Sequence, residues 1–379
     1  MALNFDLSPE QQDIFKTARQ FGEKEVKPFA GKWDEAETPP LEVYDKLAAA
    51  GFLGILAPEE YGGQGGDYMD FSLVCEAIAY YDPSVAILIS GQNCVSAGII
   101  SKFGTPAQKE KYLPPLAKGE NHAVGAFAMT EPGAGSDANS ASTKAVLKDD
   151  HYVINGTKCF ISQGTIATVY LVFARTEAGL SCFIVERGYP GFSVGKKETK
   201  MGIRASDTAE LVFNDCVVPR ENLVGKEGEG FKIAMSIMDA DRASVAAMAV
   251  GMAQRAIDEA VKYTKERVQF GKRISQFQNT QFVLAELQTK VDAARLMAYR
   301  ATMDVVNGCE NAAHSSMAKY FASDVVNDVA RRALQFMGGY GYSREYPMEK
   351  ILRDAKIFEI FVGTNEMQRM IISRSMGIK

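Results

Sequence analysis

Apolar positions along this chain fall into three stretches with different periods. Through residue 120 they recur at helical spacing. Ile14, Phe15, Ala18 and Phe21 share one helix face, and Ser8-Pro9-Glu10-Gln11 ahead of them supplies an N-cap hydroxyl and a first-turn proline. Pro39-Pro40 predicts the start of another helix, lined by Leu41, Val43, Tyr44, Leu47 and Ala48. Gly62-Gly-Gln-Gly-Gly66 reads as a flexible turn, after which helical spacing resumes through Phe71, Val74 and Ala77. From residue 121 to 230 the pattern changes to short runs rich in β-branched and aromatic residues. Tyr152-Val-Ile, Val169-Tyr-Leu-Val-Phe-Ala, Cys182-Phe-Ile-Val and Ala209-Glu-Leu-Val-Phe read as strands, and Asn155-Gly156 predicts a tight hairpin. A small antiparallel barrel or sandwich is expected there. From 231 to 379 helical spacing returns, with long uninterrupted stretches at 231–267 and 279–306 that predict a helical bundle. Helix, sheet, helix in that order predicts an α+β protein with domains at 1–120, 121–230 and 231–379, not a doubly wound sheet.

Composition narrows the function classes only slightly. The net charge of -5 gives no nucleic-acid footprint, although helix N-termini can still hold phosphate on an acidic protein. Six cysteines form no Cys-x-x-Cys pair and there are three histidines, so no metal site is expected. The thiols read as reduced and mostly buried, as in a cytoplasmic protein. The first ten residues lack the regions of a signal peptide, and no apolar run approaches the roughly 20 residues of a membrane span. Neither nucleic acid nor membrane is an expected partner.

Four motifs carry candidate chemistry. Thr130-Glu-Pro-Gly-Ala-Gly-Ser-Asp137 can turn successive backbone N–H groups, with the hydroxyls of Thr130 and Ser136, toward the polar edge of a flat heterocycle. Asn155-Gly-Thr-Lys-Cys-Phe-Ile-Ser162 offers an aromatic face at Phe160 and a hydroxyl at Ser162. Glu266-Arg-Val-Gln-Phe-Gly interrupts a helical region and places the planar fork of Arg267 where it can meet phosphate. Gln335-Phe-Met-Gly-Gly339 closes another helix. Taken singly, each has a plain structural role: loop, strand, solvated charge or helix cap.

Together, in this order and spacing, they resemble the acyl-CoA dehydrogenase family over nearly the whole chain. Ala57-Pro-Glu-Glu-Tyr-Gly-Gly63, Met201-Gly-Ile-Arg-Ala-Ser-Asp-Thr208 and the run Arg353-Asp-Ala-Lys-Ile-Phe-Glu-Ile-Phe-Val-Gly-Thr-Asn-Glu-Met-Gln-Arg369 add to the resemblance. It implies an N-terminal helical domain, a middle antiparallel β domain and a C-terminal four-helix bundle. It also implies bound FAD, an acyl-CoA substrate, a homotetramer and an electron-transferring flavoprotein as electron partner. FAD contacts carry over to Phe127, Met129, Thr130, Phe160, Ser162, Arg267, Phe270, Gln278, Gln335, Gly339, Thr364 and Glu366, some of them acting across a subunit interface. Phe160 and Ser162 stand where tryptophan and threonine are commoner. Ser136, Asp239, Arg242, Val362 and Gly363 match positions near the acyl-CoA.

One departure stands out. In most of the family the residue before the Gly-Thr pair is the glutamate that takes a proton beside the thioester carbonyl. Here it is Val362, which cannot move a proton, although its backbone N–H keeps the family's contact with the thioester oxygen. Some long-chain and branched-chain members carry their base in the position of Asp241, as glutamate. Asp241 is therefore the candidate proton-transfer group, with an ion pair to a nearby cation as its plain alternative. Glu359 is a weaker candidate, and Tyr340 and Tyr342 are candidates for shaping the acyl pocket. The expected activity is dehydrogenation of a short, branched, cyclic or aryl-bearing acyl-CoA, or reduction of the matching enoyl-CoA. A 1,4-dehydrogenation of an alicyclic enoyl-CoA with a different base, and a catalytically silent flavoprotein scaffold, are the alternatives.

Overall fold

In a computed structural model the chain is described over residues 6–39, 41–309 and 311–378. Its N-terminal third is helical: α1 (Pro9–Phe21), α2 (Ala30–Ala36), α3 (Leu41–Ala49), α4 (Tyr68–Ala79), α5 (Pro83–Ser90), α6 (Gly98–Phe103) and α7 (Pro106–Lys118). Ser8 caps α1 as its sequence predicts. Its Oγ accepts from the Gln11 backbone N–H at 3.2 Å, and the Gln11 side chain accepts from the Ser8 N–H at 3.0 Å. Pro40 and residues 1–5, on which the start of the second predicted helix and the leader reading rest, lie outside the described residues. The glycine-rich turn at 62–66 is pinned rather than flexible. Gln64, Gly65 and Gly66 donate backbone N–H groups to the carbonyls of Gly54, Ala57 and Ile55 at 2.8–3.0 Å.

The expectation about membrane-length runs also needs correcting. Pro83–Phe103 is one 21-residue helical run apolar enough to cross a membrane, but 89% of its apolar window is buried inside the protein. Its middle, Gly91–Ala97, widens into a π-helical segment, and its two amide side chains bond inward. Gln92 Nε2 donates to the carbonyls of Leu116 and Ala123 at 2.6 and 2.9 Å, and Asn93 Nδ2 donates to that of Phe52 at 2.8 Å. Such satisfied polar groups mark the core helix of a folded domain.

The middle third holds β1 (Gly125–Ala128), β2 (Lys144–Lys148), β3 (His151–Ser162), β4 (Val169–Thr176), β5 (Gly179–Glu186), β6 (Phe192–Lys197), β7 (Thr208–Pro219) and β8 (Leu223–Val224). All four predicted strand runs lie in β3, β4, β5 or β7. They join one connected sheet in the order β6-β7-β3-β2-β4-β5-β8, with β1 on β4. Pairing is antiparallel except where β4 meets β1 and β2, which run parallel to it. Asn155-Gly156 is not a hairpin turn. It sits inside β3, where the register against β7 slips, and the chain reverses earlier, between Lys148 and His151. Asn155 instead bonds Asp215 across the strands, its Nδ2 to Oδ1 at 3.0 Å and its Oδ1 from the N–H at 2.8 Å. Gly156 is required there because a Cβ would lie 2.5 Å from Thr143 Oγ1.

The last third contains α8 (Gly230–Glu266), the hairpin strands β9 (Val268–Gln269) and β10 (Lys272–Arg273), α9 (Gln278–Val306), α10 (Ala312–Met337), α11 (Gly339–Tyr342), α12 (Met348–Ala355) and α13 (Asn365–Ser375). The long α8 packs against α4, α9 and α10, so it is apolar on several faces. At its crossing with α4 a Cβ on Gly251 would lie 2.1 Å from the Glu76 carbonyl oxygen. A buried charge cluster ties α12 to the other two thirds. Lys350 Nζ lies 2.9 Å from Asp82 Oδ2 and 2.6 Å from Asp354 Oδ2, while Arg353 reaches Asp34 at 2.7 Å. Asp354 also accepts from the Ile203 N–H of the middle third at 2.5 Å. This fixes where the segment after α12 begins.

Candidate functional site

The loop after β1 is built on a buried ion pair. Glu131 and Ala134 exchange backbone N–H···O bonds of 3.0 Å each, closing a tight turn. The Glu131 carboxylate accepts from the Ser142 N–H (2.6 Å), the Thr143 N–H (3.0 Å) and Lys158 Nζ (2.7 Å). Burial pushes this carboxyl up, but the bonds from Lys158, Thr143 and Ser142 outweigh it and hold it at about 2. Burial in turn pushes the Lys158 amine down. Lys158 Nζ also donates to the Met129 carbonyl at 3.0 Å, and the Cys159 N–H donates to that of Thr130 at 2.9 Å. Met129 and Thr130 are thereby set beside Phe160. Phe160 projects at 64% exposure from a left-handed backbone position, φ 55°, at the second irregularity of β3. Ser162 ends that strand, and Phe127 packs its ring 4.9 Å from Phe173. Ser136 is exposed on the same loop.

Asp241 lies on α8 and is buried. Its Oδ1 accepts from Ser90 Oγ of α5 at 2.7 Å and from Ser244 Oγ at 3.2 Å. No hydrogen bond reaches Oδ2 among the described residues. Burial raises the carboxyl pKa; the two serine hydroxyls and Arg242 pull against it. Tyr68, Cys75 and Cys94 lie near enough to feel its charge. Burial pushes all three of these groups up, so none is a ready base. The plain ion-pair alternative for Asp241 does not describe this environment. The ion pair belongs to Arg242 and Asp239, which touch one turn along the helix, and Arg242 Nε is buried without a partner.

Residues 360–364 form the third part. Val362 and Gly363 have φ of 54° and 87°. The left-handed region is rare for a β-branched residue and stores roughly 1–3 kcal/mol. Lys319 of α10, fully buried, donates to the Gly363 carbonyl at 2.8 Å. Burial first, and the neighbouring Arg242 charge second, push its amine down to about 7. Lys319 thus holds the 362–363 turn while feeling the Arg242 charge. Thr364 caps α13, with Glu366 exposed in its first turn.

Arg267 ends α8 and opens onto a cavity of about 550 Å³ lined also by Gln335, Gly339, Tyr263 and Tyr340. Its guanidinium lies 5.6 Å from the Tyr340 ring centre. Phe270 is 94% exposed at the tip of the β9–β10 hairpin, and Gln278 is exposed at the start of α9. The structure therefore gathers Arg267, Gln335 and Gly339 in one place and Met129, Thr130, Phe160 and Ser162 in another. It does not bring the two groups together around that cavity.

Family models of the acyl-CoA dehydrogenase N-terminal, middle and C-terminal domains match residues 8–120, 126–216 and 228–377. The chain belongs to the acyl-CoA dehydrogenase family. A short-chain specific acyl-CoA dehydrogenase of Clostridium acetobutylicum is 43% identical over 98% of this chain and 99% of its own. An acryloyl-CoA reductase (NADH) of Anaerotignum propionicum is 45% identical, covering 99% and 96%. Subunit CarC of the caffeyl-CoA reductase-Etf complex of Acetobacterium woodii is 40% identical, covering 97% and 98%. Among solved structures, butyryl-CoA dehydrogenase of Megasphaera elsdenii superposes with a TM-score of 0.96 at 45% identity, covering 99% and 100%. A chain in a structure of the electron transferring flavoprotein of Acidaminococcus fermentans gives 0.96 at 47%, covering 99% of both chains. An acyl-CoA dehydrogenase of Bacillus anthracis complexed with FAD gives 0.93 at 35%, covering 98% and 67%.

As an acyl-CoA dehydrogenase the protein is an FAD-dependent oxidoreductase acting on CH–CH bonds. Its residues suit that cofactor. Phe160 offers an exposed flat surface beside the N–H groups and hydroxyls of the 130–136 loop, and Arg267 offers a fork for phosphate at an open cavity. The structure also places three further sequence candidates. Glu359 pairs with Lys356, and Tyr340 lines the Arg267 cavity with Tyr263, while Tyr342 is 83% exposed. Sequence reasoning missed Glu131, Lys158, Ser90, Ser244 and Lys319. Glu131 and Lys158 both lay within the motifs, and a lysine next to the apolar Cys-Phe-Ile run of a strand was a signal at Lys158. Nothing local marked Ser90 or Lys319.

Proposed function

We propose that this family member is an acyl-CoA dehydrogenase or enoyl-CoA reductase in which Asp241, not residue 362, exchanges the proton with substrate. The observation that carries this reading is the pairing of a valine at the usual base position with a buried carboxyl on α8. That carboxyl is aligned by Ser90, and among the described residues its other oxygen meets no hydrogen-bond donor. In dehydrogenation the carboxylate takes the proton from the carbon beside the thioester, while the electron pair of that C–H bond becomes part of the new double bond. FAD supplies the acceptor for the hydride leaving the neighbouring carbon. In reduction the protonated Asp241 returns its proton to the same carbon. Burial raises the Asp241 pKa, so its carboxyl holds a proton more firmly than an ordinary aspartate, which suits the acid role in reduction. The Val362 N–H and the turn that holds it face the thioester oxygen, where charge develops. A short, branched, cyclic or aryl-bearing acyl group is the proposed substrate class. The acryloyl-CoA and caffeyl-CoA reductases among the relatives support reduction as a physiological direction.

An electron-transferring flavoprotein is the proposed electron partner, supported by the CarC complex and the Acidaminococcus structure. The separation of the Phe160 group from the Arg267 cavity supports completion of the FAD site by a second copy, in a homotetramer. Exposed Val268 and Phe270, on either side of Gln269 at that cavity, are the apolar surface such a copy would cover. Anaerobic flavin bleaching by a panel of saturated and unsaturated acyl-CoAs, with and without an electron-transferring flavoprotein, tests the activity. Asp241→Asn tests the proton role: chemistry should slow by roughly 100-fold or more with FAD content unchanged. Wild-type flavin reduction in that variant refutes the assignment.

A further inference from the structure

The strained turn at Val362-Gly363 persists because two side chains grip it from behind. Gln368 Nε2 on α13 donates to both of its carbonyls, at 3.3 Å to Val362 and 2.8 Å to Gly363. Lys319 Nζ on α10 donates to the Gly363 carbonyl at 2.8 Å and to Asn365 Oδ1 at 3.1 Å. Asn365 is itself anchored, its Nδ2 donating to Asp324 Oδ1 at 2.9 Å. Each trans peptide sets its N–H opposite its carbonyl, so the bond from Gln368 to the Val362 carbonyl turns the Gly363 N–H the other way, and holding the Gly363 carbonyl fixes the end of the same turn. Among the described residues no acceptor meets the N–H of Val362 or of Gly363. Successive free N–H groups at a left-handed turn form a concave donor site for an oxygen carrying negative charge.

Lys319 is an expensive way to pack a helix. Its amine is fully buried, its two hydrogen bonds go to neutral oxygens, and Arg242 stands nearby with like charge. An apolar residue of the same length would fill the space without that desolvation. What it would not do is hold the Gly363 carbonyl.

We propose that Lys319 and Gln368 are positioning residues, which hold the 362–363 turn so that its N–H groups meet the thioester oxygen of the bound acyl-CoA. This rests on the reading of the site as an acyl-CoA site, but not on Asp241 as the proton-transfer group. It also explains how a chain without a carboxylate at 362 keeps the backbone of that position in working geometry. The turn is set from α10 and α13 rather than by the side chain at 362.

The test compares two probes bound to the FAD-loaded enzyme: a short enoyl-CoA thioester, and the matching thioether in which a methylene replaces the carbonyl. The carbonyl-dependent gain in affinity reads the donor site directly and needs no turnover. For the wild type the thioester should bind roughly tenfold more tightly, as expected for a hydrogen bond to a neutral carbonyl that polarises. Lys319→Met and Gln368→Met should each erase most of that preference while leaving thioether affinity and FAD content unchanged. Single-turnover flavin reduction by the matching saturated acyl-CoA should slow by roughly 100-fold, as for a small misplacement of a reacting group. Lys319→Gln, which keeps one donor, should recover part of both. If Lys319→Met does not fold, Gln368→Met decides alone, since it removes no charge. Variants with lowered melting temperature but wild-type thioester preference and turnover overturn the proposal and leave a purely structural role. Asp241→Asn separates the two ideas: it should lose turnover and keep the thioester preference.

Discussion

Ser90→Ala is the sharpest probe of how the fold tunes Asp241, the proposed proton-transfer group. The substitution removes one oxygen and keeps Cβ, so packing between α5 and α8 is disturbed little. What is lost is the 2.7 Å hydrogen bond from Ser90 Oγ to Asp241 Oδ1. That bond favours the ionised carboxyl and opposes the burial that raises its pKa. A hydrogen bond to a charged group contributes about 1.5–3 kcal/mol. At 1.36 kcal/mol per decade, its loss shifts the protonation equilibrium of Asp241 roughly ten- to hundredfold further toward the acid. Dehydrogenation needs the carboxylate, so its rate should fall at neutral pH and recover as pH rises. The ascending limb of the pH–rate profile moves upward while its plateau stays. Enoyl-CoA reduction needs the acid and should hold its rate to higher pH than in the wild type. Stability follows the same sign. Because the folded-state pKa of Asp241 is raised, its contribution is full below the unfolded value and is lost as pH rises through the folded one. Ser90→Ala should therefore match the wild type in acid and fall behind it as pH increases. Ser244→Ala should do less: its bond to Oδ1 is longer, 3.2 Å, and its single proton also serves the Asp241 carbonyl at 2.8 Å. Single-turnover flavin bleaching across the pH range, in both directions, reads these limbs. An equal loss of rate at every pH, or an unmoved limb in a folded FAD-loaded enzyme, would show that Asp241 is not the titrating group.

Four further outcomes are expected. Glu131→Gln leaves Lys158 buried without its counter-charge and should cost about 3–5 kcal/mol in chemical denaturation; a cost below about 1 kcal/mol contradicts the role given to that pair. In the wild type, Glu131 stabilises the native state above the ordinary carboxylate value of 4.5, and this is lost as pH falls toward about 2, so acid titration should release FAD over that window. Arg267→Lys should weaken FAD retention on dilution by roughly tenfold while thioester affinity in FAD-saturated enzyme is unchanged, because a point charge cannot replace the planar fork; equal retention argues that Arg267 faces solvent only. Finally, Val362→Glu in an Asp241→Asn background should regain part of the lost rate. No regain in a folded, FAD-loaded double variant would show that position 362 does not face the reacting carbon.

Much of the molecule was written locally. The Ser8-Pro9 cap, the β-branched strand runs and the uninterrupted stretch that became α8 are set by preferences acting within a few residues, and each formed where its sequence placed it. The order of motifs from Thr130 to Thr364 likewise gave the family, and Val362 showed that the usual glutamate is absent from that position. Local signals failed where long-range partners competed. Asn155-Gly156 has the makings of a hairpin, but Asp215 and the register against β7 held it in a strand as a bulge. Pro83–Phe103 carries serines and amides whose partners, such as the Phe52 and Ala123 carbonyls, lie far away in sequence. The same limit hid the setting of the site. Ser90 meets Asp241 across 151 residues, Lys319 meets Gly363 across 44, and Glu131 meets Lys158 across 27. A sequence fixes which chemical groups exist and which local conformations they favour. Whether a carboxyl is buried beside a hydroxyl or paired with a cation, and so whether its proton is held or released near neutrality, depends on dielectric surroundings and hydrogen-bond geometry that come into being only when distant helices pack.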